Sequence, residues 1–371
     1  MAHATPRPFT INIAQAQLDD LKARLGLTRY PEKETVGDWD QGIPLAYVRE
    51  VADYWAKGYD WRRCEARLNA FPNFLIEIDG LDIHFIHVRS ANPAARPLLL
   101  THGWPGSVLE FLGVIAPLSE DFHLIIPSLP GYGFSGKPAE TGWGVDRIAR
   151  VWNDLMRALG YDRYFAQGGD WGSAVTSEIG SQNLGQCAGI HLNMVVGALP
   201  QPLPDDLTPF EMGALARMQW YQEKDTGYSI QQATRPQTLG YGLADSPVGQ
   251  MAWILEKFHG WTDCNGNPES IVSRDHLLDN VMLYWLTNSA ASSARLYWHS
   301  FRKFRGGEVS IPTGCSLFPM ELFRLSRRWA EARYKQIVYW NELPKGGHFA
   351  ALEQPEAFVS EVRACFGAMR L

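Results

Sequence analysis

The pattern of apolar and polar positions changes its period twice along the 371-residue chain. In residues 1–73 the apolar positions recur at helical spacing. Ile13, Leu18, Leu21 and Leu25 share one face, and Leu45, Val48, Val51, Ala52 and Trp55 share another. This stretch is expected to be a helical preamble that clasps a main domain. After Pro72 the period becomes that of strands. Residues 74–78 and 81–88 flank Asp79-Gly80, a pair suited to a tight hairpin turn. Further strands are expected at 97–101, 122–127, 163–167 and 188–196, with helices at 108–118, 145–159 and 172–179 between them. Such alternation predicts a mainly parallel, doubly wound α/β sheet. From about 199 to 305 the chain reads as helical, rich in Gly, Pro and aromatic residues, and shows no clear strand. Alternation resumes with a strand at 315–318, a helix at 322–334, a strand at 336–340 and a last helix at 355–369. Four stretches follow: an N-terminal extension (1–73), a first part of the core (74–198), an inserted helical lid (199–305) and a second part of the core (306–371).

Composition narrows the class without changing this outline. The chain is 46% hydrophobic and 20% charged, as a soluble globular protein is. Its net charge of −6 gives no basic excess to attract nucleic acid or an anionic membrane. The five cysteines are scattered, with no CxxC or zinc-ligand spacing, which favours free thiols in a reducing compartment. No cofactor or metal is expected. The N-terminus lacks the apolar core of a signal peptide, and no window approaches the roughly 18 apolar residues of a membrane span. A cytoplasmic location is the expectation.

The chemistry is carried by Gly168-Gly169-Asp170-Trp171-Gly172-Ser173, which follows an apolar strand and opens a helix. This matches the nucleophile elbow G-x-Nu-x-G, with Asp where esterases place Ser. The turn is so tight that small residues are required two before and two after the nucleophile. An Asp that merely caps a helix is the alternative. Chain order favours the elbow, because the hydrolase order is nucleophile, acid, histidine. His348 stands in Gly346-Gly347-His348-Phe349 after the strand at 336–340. Glu321, in Phe318-Pro319-Met320-Glu321, follows another late strand; Glu342 and Glu353 are rivals by proximity alone. The backbone N–H groups of Trp104, in His102-Gly103-Trp104-Pro105-Gly106, and of Trp171 are the expected oxyanion donors. The outline is that of an α/β-hydrolase fold whose core is interrupted after its sixth strand by a lid.

An aspartate nucleophile narrows the reaction. Attack of a carboxylate on an acyl carbon gives an anhydride, a poor route for hydrolysing esters or amides. Attack on an sp³ carbon bearing a leaving group gives an alkyl ester, which water then cleaves. Displacement at carbon is therefore expected, either epoxide opening or carbon–halogen cleavage. His348, oriented by Glu321, would activate the water. An alkoxide leaving group requires a proton donor, and lid tyrosines would serve.

These segments make the chain similar to the microsomal-type epoxide hydrolases and their soluble fungal and bacterial relatives. The resemblance runs from about Phe9 to Phe366. Besides the motifs above it includes 69–74, 78–85, Pro312-Thr313-Gly314, His348-Phe349-Ala350-Ala351 and Gly131-Tyr132-Gly133-Phe134-Ser135, a turn near the site's rim. It implies two lid tyrosines as donors to the epoxide oxygen. The match falls on Tyr228, in Asp225-Thr226-Gly227-Tyr228, and on Tyr297, in Ala294-Arg295-Leu296-Tyr297. Mammalian members carry an N-terminal membrane anchor; this chain starts almost at the domain itself, which favours the soluble branch. A homodimer is implied by family analogy only.

Two other readings stay open. One is a haloalkane or haloacid dehalogenase of the same fold, although Trp104 stands where haloalkane dehalogenases usually have Asn. The other is a non-catalytic ligand-binding protein on the hydrolase scaffold. The aromatic lid, with Trp220, Tyr221 and Trp253 as pocket candidates beside Tyr241, Phe258 and Trp261, suggests a small apolar or aryl epoxide as substrate, with water as the second reactant.

Overall fold

The computed structural model describes residues 5–301 and 306–369, so the expected lid boundary at 302–305 lies outside the described residues. Among the described residues nine strands form one sheet: β1 (Arg7–Phe9), β2 (Asn73–Ile78), β3 (Leu81–Val88), β4 (Arg96–Thr101), β5 (Phe122–Pro127), β6 (Tyr164–Gly168), β7 (Cys187–Leu192), β8 (Thr313–Leu317) and β9 (Ile337–Glu342). Their order is β1-β2-β3-β5-β4-β6-β7-β8-β9. The first four neighbours pair antiparallel and the strands from β5 to β9 run parallel. The central strands are apolar on both faces, and Leu98, Leu99 and Leu100 are wholly buried because helices cover both sides. At the β2–β3 hairpin Asp79 and Gly80 both adopt positive φ (54° and 76°), the conformation a two-residue turn of this hand requires.

The core helices are α4 (Leu112–Leu118), α5 (Val145–Ala158) and α6 (Asp170–Gln182), preceded by α1 (Gln15–Gly26), α2 (Leu45–Lys57) and α3 (Trp61–Asn69). Between β7 and β8 lie α7 (Pro209–Trp220), a wide π turn at Tyr221–Asp225, α8 (Gly227–Thr234), α9 (Pro236–Asp245), α10 (Pro247–Trp261), α11 (Arg274–Leu286) and α12 (Ala290–Ser300). The chain closes with α13 (Arg327–Ala330), α14 (Ala350–Glu353) and α15 (Pro355–Gly367). Among the described residues no helix is long and apolar enough to cross a membrane.

Two expectations need correction. The helix expected at 322–334 shrinks to α13, because Leu322 and Leu325 turn inward and the Leu322 N–H is taken by the Glu321 side chain (2.6 Å), which opens the first turn into a loop. The preamble is not wholly helical either, since β1 adds an edge strand to β2. Three residues with Pro8 in the middle carry too little pattern to read, although an edge strand is a place where Pro is tolerated.

The preamble packs on the lid: α1 and α2 lie against α10, and its buried polar contacts go to α11. Asp279, almost wholly buried, receives Arg63 Nη2 and Arg67 Nη1 (both 3.1 Å) and the Tyr59 hydroxyl (2.8 Å). Asp275 accepts from the Tyr54 hydroxyl (2.7 Å) and pairs with Arg63. The Trp55 indole lies against Met282 Sδ at 3.3 Å. Two arginines on one buried carboxylate offset its desolvation, which an isolated charge would not survive. All five cysteines are free and buried.

Candidate active site

Sterics at the end of β6 present Asp170. The chain turns from strand to helix within two residues and holds Asp170 at φ 49°, a left-handed conformation that Asp tolerates better than most side chains. A β-carbon on Gly168 would overlap the Gly172 carbonyl, and one on Gly172 would overlap the Thr101 carbonyl at the end of β4. Both positions must therefore be glycine. Gly169 is the N-cap of α6, and the Asp170 side chain makes no capping bond. Instead its Oδ1 accepts the Trp104 N–H at 2.8 Å, across a gap that only a glycine at 103 leaves open. Trp171 follows in the first turn of α6, where N–H groups lack intrahelical acceptors and the dipole favours an anion.

His348 Nε2 stands 3.4 Å from Asp170 Oδ2, and its Nδ1 lies 2.7 Å from Glu321 Oε1. Its backbone N–H donates to the Trp261 carbonyl at 2.9 Å, and its ring packs edge-on to the Trp261 indole at 4.9 Å. Burial opposes a charge on His348. The Glu321 carboxylate, then the Asp170 and Glu321 hydrogen bonds, outweigh that and hold the imidazole well above its ordinary value. Rivals for Glu321 are elsewhere: Glu342 is exposed at the end of β9, and Glu353 accepts the N–H groups of Asp263 and Phe349.

Facing the elbow are the phenols of Tyr228 and Tyr297, both buried, with ring centroids 5.8 Å apart. Tyr228 stacks on Trp104 (5.0 Å, 10°) and Tyr297 stands edge-on to Trp171 (4.8 Å). Tyr228 Oη receives a long 3.4 Å contact from the Tyr221 hydroxyl. The Tyr297 hydroxyl lies beside Trp171 but has no hydrogen bond of good geometry, unusual for a buried group. Burial first, and neighbouring phenols and the Asp170 carboxylate next, push both phenols well above their ordinary value, so both keep their protons. Asp170, Trp171, Tyr228 and Tyr297 all line one cavity of about 250 Å³. Aliphatic and aromatic side chains from the 194–197 and 322–325 loops form much of its remaining wall.

Residues 6–111 match the family model described as "Epoxide hydrolase N terminus", and residues 96–238 match "alpha/beta hydrolase fold". Epoxide hydrolase 1 of Sus scrofa is 34% identical, over 98% of this chain and 89% of that protein. A Stigmatella aurantiaca protein whose name assigns it epoxide hydrolase activity provisionally is 53% identical, over 98% of this chain and 85% of its own. The Aspergillus niger epoxide hydrolase structure superposes with a TM-score of 0.91 at 35% identity, covering 99% of this chain and 97% of that one. The chain belongs to the epoxide hydrolase family. The Bombyx mori juvenile hormone epoxide hydrolase structure is similar to the same degree (TM-score 0.92, 33% identity, 98% and 94% covered).

In this epoxide hydrolase the three aromatic residues read as pocket candidates stand behind the wall. Tyr221 is buried and packs edge-on to Phe323 at 4.8 Å. Trp220 carries the Arg217 guanidinium over its ring at 4.1 Å, and the Trp253 indole donates to Gln232 at 3.4 Å. None of the three is among the residues lining the cavity, because Trp220 and Trp253 pack on neighbouring lid side chains and Tyr221 packs behind Phe323. Of the remaining lid aromatics, Trp261 packs on His348, Phe258 stacks on Phe349 (4.2 Å), and Tyr241 is exposed.

Two charged features escaped sequence reading. Lys257, buried in α10, pairs with Asp225 and sits 4.6 Å from the centre of the Tyr228 ring; Asp225 Oδ2 also accepts the Trp261 indole N–H at 2.6 Å. The π turn brings Asp225 to this point. The second is Glu110, pushed up to about 8 by burial, with His348 pulling it down and Asp170 pushing it up. Ser107-Val108-Leu109-Glu110 has the spacing of a capping box, the one signal that marked it.

Proposed function

We propose that the protein hydrolyses epoxides to vicinal diols through an ester on Asp170. The observation that carries this is a carboxylate at the nucleophile elbow facing a buried phenol, Tyr297, whose hydroxyl has no hydrogen bond of good geometry. Oδ1 is held by the Trp104 N–H, so Oδ2 is the attacking atom. It bonds to a ring carbon as the carbon–oxygen bond breaks, and Tyr228 or Tyr297 gives its proton to the departing oxygen. His348, protonated while Asp170 is a carboxylate, restores that phenol through solvent.

Esterification removes the negative charge of Asp170 and, with it, part of what holds the proton on His348. The imidazole, now neutral and oriented by Glu321, takes a proton from water, whose oxygen adds to the ester carbon. Charge develops on Oδ1, where the Trp104 and Trp171 N–H groups stabilise it. Collapse expels the diol oxygen, which takes up a proton, and regenerates the carboxylate. Five buried free thiols support a reducing, cytoplasmic location. We infer a homodimer from the family likeness alone, to be read by light scattering.

The test is His348→Gln mixed with styrene oxide and analysed by denaturing mass spectrometry. An adduct of substrate mass on the peptide containing Asp170 is expected. No adduct across a panel of epoxides, together with halide release by the wild type from haloalkanes, would transfer the assignment to a dehalogenase.

A further inference from the structure

The wall of the cavity in front of Asp170 includes a second charged residue that the reaction above does not use. Among the described residues that line it, only Asp170 and Arg324 are charged. Arg324 comes from the loop that the sequence pattern suggested as helix. Among the described residues it has no salt bridge, and its buried Nε has no hydrogen-bond partner. Its guanidinium lies over the Phe210 ring of α7, 5.3 Å from the centroid. Burial pulls its pKa below the ordinary value while Glu321 and Glu342 pull it back, and a guanidinium stays charged in either case.

Neighbouring cations have acceptors or ion partners on their terminal nitrogens, although the Arg217 Nε, like that of Arg324, has no hydrogen bond. Arg217 Nη2 donates to the Gly260 carbonyl at 2.8 Å, and Arg328 is held by Glu211 and Asp206. Of these, Arg324 alone lines the cavity. A strut between lid and core would be served by an apolar side chain, without the cost of a half-buried charge. The arrangement instead fits a ligand pocket in which an apolar wall surrounds a few polar groups that set orientation. An anion entering this cavity would be repelled by Asp170 unless a cation held its far end.

Resting on the epoxide hydrolase reading, we propose that Arg324 anchors the carboxylate of the substrate, and that the preferred substrates are epoxides on an apolar chain ending in a carboxylate. The guanidinium fork matches a carboxylate in two parallel hydrogen bonds, which also fixes how far from the acid group the epoxide can lie. An optimum chain length follows.

The test compares a series of medium-chain ω-epoxyalkanoates with their methyl esters, in wild type, Arg324→Gln and Arg324→Lys. The wild type is expected to favour the acid in kcat/KM by about tenfold or more, the scale of a charge-assisted pair. Arg324→Gln should bring the acid-to-ester ratio to about one through KM, with partial recovery in Arg324→Lys. No acid preference in the wild type, or an equal loss on acid and ester in Arg324→Gln, would overturn the anchor. Octanoate binding, followed by calorimetry, separates this from the catalytic reading. Binding that is weakened about tenfold by Arg324→Gln supports the anchor even if no epoxide is turned over; octanoate that fails to bind the wild type refutes it.

Discussion

The two walls of the active-site cavity are held by different physics. On the core side, Asp170 is fixed by backbone sterics: a left-handed residue, two glycines that no other residue can replace, and a strand end pressed against a helix start. Its partners, the Trp104 N–H at 2.8 Å and His348 at 3.4 Å, reach it directly. On the lid side, Tyr228 and Tyr297 are fixed by rings and a buried charge. Trp104, Trp171, Trp261 and Lys257 surround them, and α11 is tied from behind by arginines of the preamble. The core wall tolerates almost no change in volume, whereas the lid wall depends on polar pairs behind the donor rings, one beside Tyr228 and one on α11. A nucleophile must be placed once, while donors that meet varied substrates are placed by packing that can be retuned.

The largest effect should come from Asp170→Asn. Asn also tolerates the left-handed conformation, so the fold should persist while turnover falls at least about a thousandfold, apart from slow deamidation. The same variant tests the coupling to His348. Losing the carboxylate should lower the imidazole pKa, read by NMR; an unchanged value would mean Glu321 alone holds the proton. Next comes Tyr228→Phe with Tyr297→Phe, which should slow ester formation on the order of 10²–10⁴-fold and leave decay of preformed ester almost untouched. Equal slowing of both steps in stopped flow would blur the division between the walls.

The third prediction concerns the lid wall alone. Lys257→Met strands the buried Asp225 carboxylate and should cost about 3–5 kcal/mol in urea denaturation, with Asp225→Asn on the same background recovering part of it. Glu50→Gln should change least. It removes an exposed partner of Arg274 at the rim of the preamble, worth at most about 1 kcal/mol.

The elbow was legible because its information is local: six consecutive residues specify a turn, and the structure holds them as that turn requires. Glu321 and His348 were legible through chain order and their position after late strands, and their side chains do meet. The loop at 322–326 was not, because Leu322, Phe323 and Leu325 carry helical spacing while facing a cavity instead of a helix neighbour. Nor was the pairing of Lys257 with Asp225. Thirty-two positions separate them, and each alone looks like a solvated residue on a polar face. The aromatic residues Trp220, Tyr221 and Trp253 show the reverse error, since abundance near a site does not say which way a ring points.

The buried cysteines have a bearing on how long such an enzyme lasts. Its substrates are alkylating agents, and a thiolate is a far better target for them than a carboxylate. Yet Cys64, Cys187, Cys264, Cys315 and Cys365 are all buried, and burial pushes the Cys187 thiol up to about 12. Among the described residues the cavity wall offers no thiol and no amine, and the thioethers of Met194 and Met218 are the softest groups in it. An electrophile that enters therefore meets a single anionic nucleophile, the one whose adduct the protein is equipped to undo, and is steered away from self-poisoning.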